Sequence, residues 1–560
     1  MNARADLRIW DHRARQRSAR QARAASELGT SLRGKQVAAE RSVDLLNAVL
    51  EPFDRVCLEG NNQKQADFLA KSLVRVDTQR VHDLHMVQSV LALPEHLDVF
   101  EAGIASRLDF SFSGPQGGRL AQLVSQNRLQ IGAIHTYLEL FSRYFVDLTP
   151  QVSLIAAQAA DAAGNLYTGP NTEDTPAIVE ATAFSGGIVI AQVNEIVEVL
   201  PRVDIPADWV DYVVLAPRPN TIEPLFTRDP AQISEIQVLM AMMAIKGIYA
   251  SYGVQRLNHG IGFDTAAIEL LLPTYAESLG LKGKICRHWA LNPHPALIPA
   301  IEAGWVQSIH SFGSELGMED YVRARSDIFF TGPDGSLRSH RAFCQAAGHY
   351  ACDLFIGSTL QIDLDGNSST ATLGRIAGFG GAPNMGADAR GRRHASPAWL
   401  QAGREARQGR SGAAGTPRGQ KLVVQMVETF REHMHPAFVE KLDAWQLAEQ
   451  AGMELPPIMI YGDDVTHILT EEGIANLLLC RTDEEREQAI RGVAGYTAVG
   501  LARDRRMVEN LRDRGVIRRA QDLGIDPRDA TRNLLAARNM RDLVRASGGL
   551  YEPPKRFRNW

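Results

Sequence analysis

Strand, glycine loop and helix follow one another twice in this chain, two hundred residues apart. The first copy reads Asp54-Arg-Val-Cys-Leu-Glu, then Gly60-Asn-Asn-Gln-Lys-Gln, then the amphipathic Ala66-Asp-Phe-Leu-Ala-Lys-Ser-Leu. The second reads Gln255-Arg-Leu-Asn-His, Gly260-Ile-Gly-Phe and Ala266-Ala-Ile-Glu-Leu-Leu-Leu. A second pair of landmarks lies further along, where the apolar run from Val152 ends in Asp161-Ala-Ala-Gly164-Asn165 and the run from Leu354 ends in Asp363-Leu-Asp-Gly366-Asn367. Asp-x-x-Gly-Asn is common turn chemistry on its own. Two independent landmarks at nearly the same spacing predict a duplicated α/β unit.

The length supports that reading, because 560 residues exceed what one hydrophobic core organises. Residues 1–45 read as a polar, basic helical extension. The first α/β domain is expected over 46–220, with buried strands at Ile188-Val-Ile-Ala-Gln-Val and Trp209-Val-Asp-Tyr-Val-Val-Leu. The second is expected over 221–480. It includes strands at Lys421-Leu-Val-Val-Gln-Met-Val and Val465-Thr-His-Ile-Leu-Thr, and a stretch over 386–420, rich in Gly, Ala, Arg and Ser, that reads as a mobile loop. Residues 481–560 interleave Arg and Asp and read as a helical C-terminal appendage.

Composition excludes several classes. A net charge of −5 gives no global attraction to nucleic acid or anionic lipid. No apolar run reaches the roughly 18 residues of a membrane span, and the N-terminus lacks the apolar core of a signal peptide, so a cytoplasmic protein is expected. The five cysteines form no Cys-x-x-Cys pair, which argues against a zinc ribbon or a disulfide framework. His82 and His85 flank Asp83 with no third ligand at matching spacing, so they read as structural and no metal is expected. There is no Gly-x-Ser-x-Gly elbow, no His-Glu-x-x-His helix and no Walker lysine. Gly260-Ile-Gly262 is followed by Phe263, Asp264 and Thr265, which departs from the dinucleotide fingerprint.

What remains is the chemistry of glycine loops. Backbone amides at a strand-to-helix turn point above the sheet edge, where they hold an anion or a developing oxyanion. Gly378-Phe-Gly380-Gly381-Ala-Pro lacks the Cβ atoms that would keep a narrow thioester arm from the backbone.

Together, Gly60-Asn-Asn-Gln-Lys-Gln-Ala-Asp-Phe-Leu, Ala159-Ala-Asp-Ala-Ala-Gly-Asn-Leu, Ile190-Ala-Gln-Val-Asn-Glu-Ile-Val, Leu257-Asn-His-Gly-Ile-Gly-Phe and Gly378-Phe-Gly-Gly-Ala-Pro-Asn-Met-Gly resemble the α subunits of malonate decarboxylases, over nearly the whole chain. Those subunits are similar to class I coenzyme A transferases and to citrate lyase α subunits. The resemblance implies two related coenzyme A transferase-like α/β domains in tandem. It also implies an acyl-carrier-protein transferase in which malonate replaces acetate on the carrier thiol. The implied partners are an acyl carrier protein, whose phosphopantetheine arm derives from dephospho-coenzyme A, and the decarboxylase subunits of a complex; no tightly bound cofactor is implied.

One departure bears on mechanism. Class I coenzyme A transferases form a covalent acyl intermediate on a glutamate of the strand after the helix that follows the second glycine loop. Here that strand is Lys284-Ile-Cys-Arg-His-Trp-Ala-Leu, and no Asp or Glu stands between Glu277 and Glu302. Direct attack of a malonate carboxylate on the acetyl thioester is the route left. The expected oxyanion donors are the amides around Asn61 and Asn62 and those of Gly260 and Gly262. Gly380 and Gly381 are expected to line the pantetheine arm, and Arg287 or His288 to bind malonate's second carboxylate. The arginines from Arg503 to Arg558, with Arg392 and Arg393, are expected to meet an acidic carrier. Two alternatives stay open: a transferase or thioester hydrolase acting on free coenzyme A thioesters, and a non-catalytic assembly subunit.

Overall fold

The computed structural model describes residues 9–61, 64–292, 294–313, 315–337, 341–389, 395–409, 419–558 and 560. Two large sheets form the scaffold. In the first half the principal strands are β1 (Arg55–Leu58), β2 (Leu84–Val90), β3 (Ala105–Phe112), β4 (Gln130–Ile134), β5 (Val152–Ala160), β6 (Ile188–Ile196) and β7 (Tyr212–Leu215). They lie in the order β4-β3-β2-β1-β5-β6-β7, all parallel, and their near-continuous Val, Ile, Leu and Ala runs follow from being covered on both faces.

In the second half, β8 (Arg256–His259), β9 (His288–Ala290), β10 (Ser308–His310), β11 (Leu354–Ser358), β12 (Leu422–Met426) and β13 (His467–Thr470) lie in the order β10-β9-β8-β11-β12-β13, again parallel. Two antiparallel strands, β14 (Gly473–Asn476) and β15 (Ile517–Arg518), extend its edge. The order repeats strand for strand: β3-β2-β1-β5-β6-β7 answers to β10-β9-β8-β11-β12-β13. The two Asp-x-x-Gly-Asn turns also share their hydrogen bonds. Asn165 N–H and Asn367 N–H each donate 2.9 Å to the turn's Asp Oδ1, and Gly164 and Gly366 take φ of 92° and 82°.

Helix α1 (Ile9–Leu28) anchors the N-terminal extension, with Ala24 and Leu28 buried and Arg20 paired to Asp54 at 2.5 and 2.8 Å. Helices α2 (Asp67–Leu73) and α3 (Phe263–Leu271) follow the two glycine loops. Helix α4 (Arg341–Ala351) precedes β11.

Two expectations change. The stretch 386–420 contains helix α5 (Pro397–Gly409), whose Ala398 and Ala402 are fully buried in the second core. Its apolar face is made of small residues at i, i+4 and so carries little hydrophobic signal. The residues after 480 are not a separate helical appendage. They supply β15, and Ala520, Ile525, Met540, Leu543 and Tyr551 pack into the same core as Leu257 and Trp289. Many of their arginines are ion-paired, among them Arg512 with Asp522 at 2.7 Å and Arg514 with Glu485 at 2.6 Å. Arg392 and Arg393 lie outside the described residues.

The halves are joined by a strap. Residues Ile376 to Gly380 run beside the carboxyl end of β3: Ser113 N–H donates to Ala377 O at 2.9 Å, and Phe379 and Gly380 N–H both donate to Ser111 O, at 2.7 and 2.9 Å. Tyr137 N–H closes the seam on Gly380 O at 3.1 Å. Among the described residues no helix is long and apolar enough to cross a membrane, and no cluster of His, Cys, Asp or Glu is arranged to hold a metal ion. All five cysteines are buried. His85 and His82 engage Asp109 and Asp83 at 2.6 and 2.9 Å.

Candidate active site

Open parallel sheets bind ligands beyond the carboxyl ends of their strands. Here the carboxyl ends of β3, β8, β9 and β11, with the strap, enclose a cavity of about 300 Å³. Phe112 and Tyr137 enter from the first half; Gly260, Asn292, His294 and Ser358 enter from the second. Gly378 to Gly381 form one wall, and Phe226, Phe312 and Phe355 make the lining partly apolar.

Gly380 and Gly381 lie on this wall. A Cβ on Gly381 would lie 2.1 Å from Gln345 Nε2, so the absence of a side chain keeps the wall open. The other expected residues are placed differently. Asn61 is fully buried and closed on itself: its N–H donates to Lys64 O at 2.9 Å, and its Oδ1 accepts from Lys64 N–H at 3.0 Å. That amide is spent on the turn and does not line the cavity. Asn62 lies outside the described residues. Gly260 lines the cavity, but its N–H donates to Ile356 O at 2.7 Å, and its missing Cβ is explained by Gly357 Cα, 2.9 Å from where it would sit. Gly262 caps α3 in extended conformation, behind the lining.

Arg287 and His288 sit at the opposite edge of the sheet. His288 pairs in register with Arg256 at the start of β8, whereas the cavity lining on that strand begins at Asn258, roughly 7 Å on at about 3.3 Å per residue. Arg287 donates to Gln307 Oε1 at 2.7 Å and His288 Nδ1 bonds Ser308 Oγ at 2.9 Å. The expectation took the right strand and the wrong end of it.

The carboxyl end of β9 instead presents Asn292 and His294, 7 % and 6 % exposed. Asn292 Oδ1 and His294 Nε2 are buried with no hydrogen-bond partner among the described residues. Behind His294 lies Glu269 of α3, fully buried, with Oε1 3.0 Å from His259 Nδ1 and 3.5 Å from His294 Nδ1. Burial disfavours the Glu269 carboxylate, but the two histidines outweigh it and hold its pKa down at about 2. Burial lowers the pKa of His259, whose Nε2 accepts from Tyr249 O–H at 2.8 Å.

Arginines supply the positive charge. Arg228 Nη1 donates only to the carbonyls of Leu225 and Thr227, each at 3.1 Å, and the guanidinium stands 5.5 Å from the centre of the Phe263 ring. Burial lowers its pKa, and the charges of Arg556 and Arg375 push the same way. Arg341, 1 % exposed, meets Glu173 at 3.1 Å and Asp174 at 3.4 Å and lies 4.4 Å from the Tyr137 ring centre, while its Nη1 has no hydrogen-bond partner. Burial, partly offset by Arg341 and Lys64, lifts Glu173 to about 7. Arg375 reaches the cavity from its exposed rim. Among the described lining residues there are three arginines and no Asp or Glu.

Asn292 and His294 had a sequence signal, since polar residues at the carboxyl end of a buried strand are site candidates in this architecture. Arg228 and Arg341 had none, because loop arginines are commonplace and only the tertiary fold brings these inside.

The family model described as "Malonate decarboxylase, alpha subunit, transporter" matches residues 9–560. An acetyl-S-ACP:malonate ACP transferase of Malonomonas rubra is 61 % identical over 553 residues, covering 99 % of each chain. The crystal structure of a Pseudomonas malonate decarboxylase hetero-tetramer in complex with malonate contains a chain that is 61 % identical, with a TM-score of 0.92 over 98 % of this chain and 99 % of that one. An acyl-CoA transferase from Escherichia coli O157:H7, 15 % identical with a TM-score of 0.51 over 80 % of this chain and 88 % of that one, shares the fold.

Proposed function

We propose, from the premise that the chain belongs to the malonate decarboxylase α-subunit family, that it exchanges acetate for malonate on the thiol of an acyl carrier protein. The fold is then two coenzyme A transferase-like units in tandem with the acyl site between them. The carrier's phosphopantetheine arm enters along Gly380 and Gly381, with its phosphate towards Arg375 at the rim.

The observation that carries the mechanism is a cavity lined by arginines and, among the described residues, free of carboxylates. A dianionic substrate suits such a lining, and a glutamyl intermediate has no residue on which to form. One malonate carboxylate binds Arg228, whose hydrogen bonds go only to neutral carbonyls and whose buried charge an anion would neutralise. The other attacks the acetyl carbonyl: a carboxylate O–C bond forms, the C–S bond breaks, and the electron pair leaves on sulfur. The thiolate then attacks the malonyl carbonyl of the mixed anhydride and expels acetate, which keeps the bridging oxygen. Carboxylates are weak nucleophiles, so proximity and oxyanion stabilisation must supply the rate, effects worth up to about 10 and about 3 kcal/mol. The decarboxylase subunits of a complex would take the malonyl carrier onward.

The test is a single turnover with acetylated carrier and malonate labelled with ¹⁸O in its carboxylates. Malonyl carrier detected by intact mass, with label in the released acetate, is expected. Label in the protein instead indicates a glutamyl intermediate, as in a free coenzyme A transferase, and absence of malonyl carrier refutes the transfer itself.

A further inference from the structure

The backbone amides that the sequence offers as oxyanion donors are already engaged at Asn61 and Gly260, to Lys64 O and Ile356 O. A side chain that lines the cavity is a further source of donors for a developing negative charge, and His294 is one. His294 lines the cavity, its Nε2 is buried with no hydrogen-bond partner among the described residues, and its Nδ1 stands 3.5 Å from Glu269 Oε1.

His259 Nε2 lies 2.8 Å from Tyr249 Oη and its Nδ1 3.0 Å from Glu269 Oε1, and burial, which lowers its pKa, favours the neutral ring with its proton towards the carboxylate. The Glu269 carboxylate then carries one buried negative charge that a neutral His259 does not offset, and its Oε2 has no partner. His294 Nδ1 stands 3.5 Å from Glu269 Oε1, which leaves Nε2 as the ring's second polar atom. Buried Glu315, whose pKa burial raises, interacts with both His294 and Arg228.

We propose that His294, oriented by Glu269, donates Nε2–H to the thioester carbonyl oxygen as that oxygen acquires charge, and so serves as the oxyanion donor of the acyl transfer. The role rests on the transfer reading given above. In the first half, the malonate oxygen adds to the acetyl carbon, the carbonyl π pair moves to the oxygen facing Nε2–H, and collapse expels the thiolate. In the second, the thiolate adds to the malonyl carbon, the same donor meets the new oxyanion, and collapse breaks the anhydride C–O bond to release acetate. His294 keeps its proton throughout, and none is consumed. Glu269 is a positioning residue that keeps the ring turned.

The test compares the parent protein, His294→Ala and His294→Gln in the assembled complex with acetylated carrier, with malonate binding to each measured by calorimetry without carrier. For His294→Ala, kcat falls by about 10²–10³-fold while malonate affinity stays within about threefold. Glutamine places an amide N–H near the Nε2 position and recovers about tenfold of the loss. A kcat for His294→Ala within threefold of the parent, or malonate affinity falling in step with kcat, overturns the role. Failure of the parent itself to make malonyl carrier overturns the transfer reading and the role with it.

Discussion

Replacing Gly378 by alanine strikes the seam that closes the cavity. Gly378 has φ of 79°, in the left-handed region, where a residue with a Cβ costs about 1–2 kcal/mol. The added Cβ would lie 2.5 Å from Ser111 O and 2.9 Å from Phe112 Cα, both backbone atoms of β3 that cannot swing aside. Relieving that overlap adds about 1–3 kcal/mol, for a total of roughly 2–5 kcal/mol. The strain falls on the bonds from Ser113, Phe379 and Gly380 that tie the strap to β3, so it favours local opening over global unfolding. Native-state hydrogen exchange at those three amides reads it directly. At about 1.4 kcal/mol per tenfold, protection should fall by roughly thirtyfold to several thousandfold, with a parallel loss of transfer activity. Gly374→Ala, in the same segment, is the control, since its Cβ would meet nothing within 4 Å. Protection in Gly378→Ala within about threefold of the parent would refute the claim that this glycine holds the seam.

Two further outcomes follow from the site and its support. Arg228→Ala removes a charge-assisted contact worth about 1.5–3 kcal/mol, so KM for malonate should rise about tenfold to a hundredfold with kcat changed much less; steady-state kinetics with KM within twofold of the parent would rule out carboxylate binding there. At Asp109, burial disfavours the carboxylate, but hydrogen bonds from His135 and His85 hold its pKa below the ordinary range; the His135 pKa is raised because Asp109 and Glu139 outweigh its own burial. The lowered acid stabilises above its ordinary value and loses that as pH falls through its folded pKa, while the raised histidine stabilises below its ordinary value and loses that as pH rises. The cluster should therefore contribute most between about pH 4 and 6.5. Denaturant titrations of Asp109→Asn should show a stability deficit largest in that window; a deficit that does not vary with pH would contradict the pairing.

The sequence by itself determined the repeated unit. Strand, glycine loop and helix are local devices, written as apolar runs, turn residues and amphipathic spacing, and Gly60, Gly260 and both Asp-x-x-Gly-Asn turns stand in equivalent places of two sheets with one strand order. It also determined that β9 carries no acid, and that Gly380 and Gly381 are bare of side chains. It could not show helix α5, whose buried face is alanine, or the docking of the last eighty residues into the second core, because small and scattered apolar residues carry weak periodicity. Above all it could not say which donors are spare. The amides of Asn61 and Gly260 look available in the sequence and are taken in the fold by Lys64 and Ile356, while Arg287 and His288 share a strand with the site and face its far edge. Arg228, His294 and Arg341 come from segments far apart in the chain, and only the tertiary fold brings them to one cavity. A free hydrogen bond is a property of everything packed around a group, and so the tertiary structure alone decides it.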